Sequence, residues 1–192
     1  MIRVVITDDH ELIRSGFARL IEREEDLTLA AEARDAAETF ETLEKEPCDV
    51  LVLDISLPDR SGLEVLKELQ GRFPRLPVLI LSMHSEEQYA LRALQAGALG
   101  YITKNNASQE LVKAIRKVGD GSRYVGERTA EKLALSIGPR GAAQPHERLS
   151  DREYQILALI GSGQSVREVA EELSLSIHPV NTYRRRILEK LD

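Results

Sequence analysis

Three acidic residues and one lysine end apolar runs that are far apart along the chain. Asp54 closes Val50-Leu51-Val52-Leu53, the pair Asp8-Asp9 follows the run from residue 2 to residue 6, and Lys104 follows Tyr101-Ile102-Thr103. In an open parallel sheet, ligands collect outside the carboxyl ends of the strands, so residues that terminate separate strands can meet in one site. Such a site suits a divalent cation and a phosphoryl group. Three carboxylates within a few ångströms repel by roughly several kcal/mol per pair at an effective dielectric near 20, so a cation is needed to keep all of them ionised. Mg²⁺ fits, because it takes hard oxygen ligands and retains waters that a phosphoryl oxygen can replace. An aspartate so placed can act as a nucleophile and accept the phosphoryl group. Taken singly, Asp8 or Asp9 reads as a helix N-cap, Lys104 as a solvated lysine and Ser82 as a loop serine. Their joint placement at strand ends is the argument for chemistry.

The elements that must position them are legible as repeated units. Apolar runs at 2–6, 27–31, 50–53, 78–81 and 99–102 are each followed by a segment of helical periodicity, which predicts five strands and five helices. In the first helix Leu12, Ile13, Phe17, Leu20 and Ile21 are expected on one stripe, and in the third Leu63, Val65, Leu66 and Leu69. The third strand is apolar on both faces, as a parallel strand covered by helices requires, so Asp54 is expected to be the exposed end of a buried element.

A chain of 192 residues holds one ordinary domain and a small one. No stretch approaches the roughly 20 apolar residues of a membrane helix. The N-terminus turns acidic after a few apolar residues, unlike a secretory signal, which predicts a cytoplasmic protein. Cys48 is the only cysteine, which excludes an intrachain disulfide. The formal net charge of −6 is unevenly spread: residues 1–120 are acidic on balance, whereas Arg184, Arg185, Arg186 and Lys190 concentrate positive charge near the C-terminus.

Gly119-Asp120-Gly121-Ser122 ends the fifth helix, and a short helix is expected from about Glu127 to Ile137. The Gly- and Pro-bearing segment 138–145 reads as a flexible joint. Beyond it lie two capping boxes, Ser150-Asp151-Arg152-Glu153 and Ser165-Val166-Arg167-Glu168. They predict helices near 151–161 and 166–173, with a third at 177–190. Two short helices joined by a tight turn form a helix-turn-helix. On the last helix Asn181, Thr182 and Arg185 share a face, while Val180, Ile187 and Leu191 point the other way. Asn and Arg suit bidentate contacts to base edges, and Arg184, Arg186 and Lys190 can reach phosphates.

These residues together match a family. Residues 1–120 resemble the receiver domain of two-component response regulators, on Asp8-Asp9-His10, Asp54 with Pro58 and Gly62, Ser82, and Gly100 to Lys104. Residues 148–192 resemble the LuxR-type helix-turn-helix, and 121–147 would join the two, together the NarL/FixJ class. The resemblance implies an α/β fold, a five-stranded parallel, doubly wound, flavodoxin-like receiver followed by a small all-α domain. It implies that Asp54 is phosphorylated by a partner sensor histidine kinase, that Asp9, Asp54 and the Ser56 backbone carbonyl ligate Mg²⁺, and that Asp8 acts through water. Lys104 and Ser82 would hold the phosphoryl oxygens, and Tyr101 would be a switch aromatic. Asn181, Thr182 and Arg185 would read double-stranded DNA as part of a homodimer, in a transcription regulator that is not an enzyme.

His178-Pro179 departs from the family pattern, although Pro is tolerated in a helix's first turn. The chain stops before the family's usual fourth helix. Three helices over about 45 residues bury little surface, so the last domain is expected to be a fragment, frayed, or leaning on the receiver. A phosphatase using Asp54 is the rival reading; such enzymes commonly need a carboxylate where Ser56 stands. A second rival is a protein-binding receiver whose helix-turn-helix no longer binds DNA.

Overall fold

The computed structural model describes residues 1–83, 86–126 and 148–191. The helix expected at 127–137 and the joint after it lie outside the described residues.

Alternating βα units build the first part: β1 (Ile2–Thr7), α1 (Glu11–Ile21), β2 (Leu27–Ala33), α2 (Ala36–Lys45), β3 (Val50–Asp54), α3 (Gly62–Arg72), β4 (Val78–Ser82), α4 (Glu86–Gln95), β5 (Gly100–Thr103) and α5 (Lys104–Gly119). The strands form one parallel sheet in the order β2-β1-β3-β4-β5. Every residue of β3 and β4 is buried, because successive side chains point to opposite faces and both faces are covered. On one face Leu51, Leu53, Val78, Ile80 and Tyr101 pack with Phe40, Leu63, Leu66 and Tyr89 of α2 to α4. On the other, Val50, Val52, Leu79, Leu81 and Ile102 pack with Phe17, Ile21, Leu111 and Ile115 of α1 and α5.

Two expectations need correction. Leu12 is 86% exposed: α1 begins at Glu11, and at about 100° per residue the arc that carries Ile13, Phe17 and Ile21 leaves Leu12 facing solvent. Asp54 is fully buried, with the Lys104 ammonium and the Ser56 N–H set against its carboxylate.

The second part consists of α6 (Asp151–Gly161), α7 (Val166–Glu172) and α8 (Ile177–Leu191). Both capping boxes form, at Ser150/Glu153 and Ser165/Glu168, and they set where α6 and α7 begin. Leu149, Ile156, Leu159, Val169, Leu173, Val180 and Ile187 make a small core.

This unit leans on the receiver through α6. Lys67 on α3 is 2.6 Å from Asp151, and Arg92 on α4 is 3.5 Å from the same carboxylate. The Arg92 guanidinium lies 3.8 Å from the Tyr154 ring centre, a cation-π contact. Tyr89 meets Tyr154 edge-on at 5.3 Å. Gln155 donates to the Ser56 hydroxyl at 3.2 Å.

Candidate phosphoryl site and DNA-reading helix

The carboxyl ends of β1, β3 and β5 converge as the sequence predicts. Oxygens of Asp8, Asp9 and Asp54 and a nitrogen of His10 all lie within 4.8 Å of one another. The Lys104 ammonium, first residue of α5, bridges Asp8 at 2.6 Å and Asp54 at 2.7 Å. His10 Nδ1 sits 2.6 Å from Asp9. The Ser56 backbone N–H donates to Asp54 Oδ1 at 3.1 Å. Gly62 lies so close to the end of β3 that a β-carbon on it would fall 2.1 Å from the Asp54 carbonyl oxygen, so a side chain there would push directly on the backbone that carries Asp54.

Electrostatics favour a bound cation. Burial pushes the Asp54 carboxyl up to about 6; Lys104 opposes that rise and Asp8 adds to it. Burial works against the charge of Lys104 too, but Asp54 and Asp8 outweigh it and hold the ammonium above its ordinary range. Three clustered carboxylates with one buried lysine are a hard-oxygen donor set short of positive charge, and this fits Mg²⁺.

Ser82 is buried at the end of β4, paired in register with Thr103 at the end of β5. Tyr101 is fully buried in the core face that α4 covers. Its N–H donates to the Tyr124 carbonyl oxygen at 3.0 Å, so residues just past α5 return alongside β5.

On α8, Asn181, Arg184, Arg185 and Arg186 are exposed, while Val180 and Ile187 pack inward. Thr182 is half-buried and its hydroxyl donates to the His178 carbonyl at 3.2 Å. Lys190 reaches back 2.6 Å to Glu153, so its ammonium pins α8 to the start of α6. Pro179 is accommodated in the first turn of α8.

Comparison with known proteins settles the class. The response regulator receiver domain family matches residues 4–116, and the family of bacterial regulatory proteins of the luxR type matches residues 147–192. The chain belongs to the NarL/FixJ class of two-component response regulators. The response regulator UvrY of Escherichia coli K12 is 37% identical over 193 residues, covering 100% of this chain and 88% of that protein. The response regulator GacA of Pseudomonas viridiflava is 38% identical, covering 100% and 90%. Among solved structures, Salmonella enterica RcsB bound to the rprA promoter with phosphomimetic BeF₃⁻ superposes with a TM-score of 0.66 at 27% identity, over 100% of this chain and 92% of that one. Like its relatives, this response regulator combines a receiver with a LuxR-type DNA-binding domain, and no helix among the described residues is long and apolar enough to cross a membrane.

Sequence reasoning missed Gln155 and Arg152 of this regulator, which lie between its two domains. It also missed Arg14, whose guanidinium donates to the Asp8 carbonyl at 2.6 Å. An arginine at the start of a helix, as Arg14 is in α1, carries no positional signal, and periodicity is silent about which helix face meets another domain.

Proposed function

We propose that Asp54 is the phosphoacceptor, that a sensor histidine kinase is its donor, and that phosphorylation controls binding of a homodimer to double-stranded DNA in the cytoplasm. The receiver would span 1–120, a connecting segment 121–147, and the DNA-reading domain 148–192. The observation that carries this reading is a fully buried Asp54 held 2.7 Å from Lys104, with Asp8 and Asp9 beside it.

Asp9, Asp54 and the Ser56 carbonyl would hold Mg²⁺ directly and Asp8 through water; when bound, the cation supplies charge neutralisation for an incoming phosphoryl group. Asp54 supplies the attacking carboxylate oxygen. Lys104 and the Ser82 hydroxyl orient the phosphoryl oxygens, and the Lys104 charge is most effective where water is excluded. Tyr101 follows the movement of β4 and β5 that those contacts impose. Asn181, Thr182 and Arg185 read base edges, and Arg184 and Arg186 meet phosphates. Lys190, engaged with Glu153, would reach DNA only by leaving that carboxylate.

The test is selection of DNA fragments by the protein with and without Mg²⁺ and acetyl phosphate, alongside Asp54→Asn. The expected outcome is enrichment of a two-fold symmetric site only in the phosphorylated wild type. Equal enrichment by Asp54→Asn overturns control through Asp54, and no enrichment in any state overturns the DNA-binding role.

A further inference from the structure

We propose that Gln155, on the first helix of the DNA-binding domain, is a positioning residue for the phosphoryl chemistry of the receiver. Its hydrogen bond to Ser56 closes the entrance to Asp54, so phosphorylation and hydrolysis both proceed through the undocked state. The proposal rests on Asp54 being the phosphoacceptor.

The side chain of Asp54 is 1% exposed and that of Lys104 5%. An entering group cannot reach the carboxylate while this arrangement holds. Ser56 stands two residues beyond Asp54 and connects it to α6: its N–H donates to Asp54 Oδ1 at 3.1 Å, and its hydroxyl accepts from Gln155 Nε2 at 3.2 Å. Gln155 is itself fully buried and fixed at its other end, where Oε1 accepts from Arg152 Nη1 at 2.9 Å. Arg152 Nη2 continues to the carbonyl of Leu173, the residue that caps α7, at 3.4 Å. One run of hydrogen bonds therefore joins Asp54 to the turn of the helix-turn-helix.

Arg152 makes the docked state conditional. Its side chain is buried, no carboxylate among the described residues lies within ion-pair distance, and burial outweighs the opposing influence of Tyr183, Glu64 and Asp59 to lower its pKa. A buried cation without a paired anion is costly, and undocking α6 relieves that cost by returning the face to water. The contact also leaves Asn181, Arg184 and Arg185 exposed, so its effect falls on the phosphoryl site and not on access to α8.

In the forward step a carboxylate oxygen of Asp54 attacks the phosphorus of an acyl phosphate or phosphohistidine, the bond from phosphorus to the donor breaks, and the donor leaves with the electron pair. In the return step water attacks phosphorus, the bond to Asp54 breaks, the carboxylate is restored, and inorganic phosphate leaves with the proton in solution. Each step needs a group entering in line with the bond that breaks.

The test uses the full chain with Mg²⁺ and acetyl phosphate, following phosphorylation rate and phosphoryl half-life on phosphate-affinity gels, with Asp54→Asn as the blank. Gln155→Ala is expected to raise both rates by roughly three- to tenfold, the effect of losing one neutral hydrogen bond. In a Ser56→Ala background the same substitution is expected to add nothing, because Gln155 acts through Ser56. Lys67→Ala, at a largely exposed position that loosens docking without touching Ser56, is expected to move both rates in the same direction and serves if Gln155→Ala fails to fold. Unchanged rates in Gln155→Ala and Lys67→Ala overturn the proposal, as does an undiminished effect of Gln155→Ala in the Ser56→Ala background. Absence of phosphorylation in the wild type and in every variant would instead overturn the Asp54 reading itself.

Discussion

Lys104 serves Asp8 and Asp54 with a single ammonium, while Asp9 is left to an exposed histidine. Burial, with Asp8 beside it and only partly offset by Lys104, makes Asp54 hold a proton more tightly than an ordinary aspartate, up to about 6. A divalent cation must displace that proton, so Mg²⁺ affinity is expected to fall as the pH drops through about 6 and to level off above it; calorimetric titration at pH 5 and pH 7.5 measures this, and equal affinities would contradict it. These residues were legible because a strand end is a fixed place: β1, β3 and β5 run parallel in one sheet, β1 beside β3 and β5 one strand further on past β4, so Asp8, Asp54 and Lys104 leave it on the same edge. Gln155 and Arg152 were not legible, because their roles arise only when α6 meets the loop after β3, and nothing local in a sequence encodes which domain faces lie together.

Helix boundaries in the second domain followed their capping residues closely, since a capping box fixes one hydrogen-bonding register. Glu153 completes that box and also receives Lys190. Burial works against its ionisation, but Lys190 and Ser150 outweigh this and hold its carboxyl below the usual range. The stability it contributes is present above the ordinary glutamate range and is lost as pH falls through the lowered value. Glu153→Ala is expected to destabilise the protein by about 1–2 kcal/mol, and Glu153→Gln, which retains the cap, by less than about 1; urea unfolding measures both, and equal losses would show that the charge contributes more than the cap. In the turn between α7 and α8, Ser174 adopts φ 51°, a left-handed conformation that costs a residue with a β-carbon about 1 kcal/mol. Ser174→Gly is therefore expected to raise the melting temperature, and a fall would mean that its side chain makes a compensating contact. Leu12 shows the opposite limit: an apolar residue next to a stripe was read into the core, although one step of helix rotation places it in water.

At the scale of the whole molecule, the exposed arginines of α8 are expected to differ in what they do on DNA. Arg185→Ala is expected to cost about 1–3 kcal/mol of binding and to relax preference at one base position, the signature of a base contact. Arg184→Ala should weaken all sequences alike and flatten the salt dependence; fluorescence anisotropy against matched and mismatched duplexes separates the two, and an identical profile would reassign Arg185 to the backbone. Among the described residues, the docking of α6 on α3 and α4 rests on a few polar contacts, the Tyr89–Tyr154 pair and the packing of Tyr154 and Ala158 against the receiver core, a modest contact for two separate proteins. Both halves, however, belong to one chain, and a partner held on a covalent leash is present at an effective concentration on the order of millimolar. An interface with a dissociation constant in that range is then about half occupied. A free energy comparable to a single hydrogen bond is enough to tip it either way, so the weakness of the contact is what makes it adjustable.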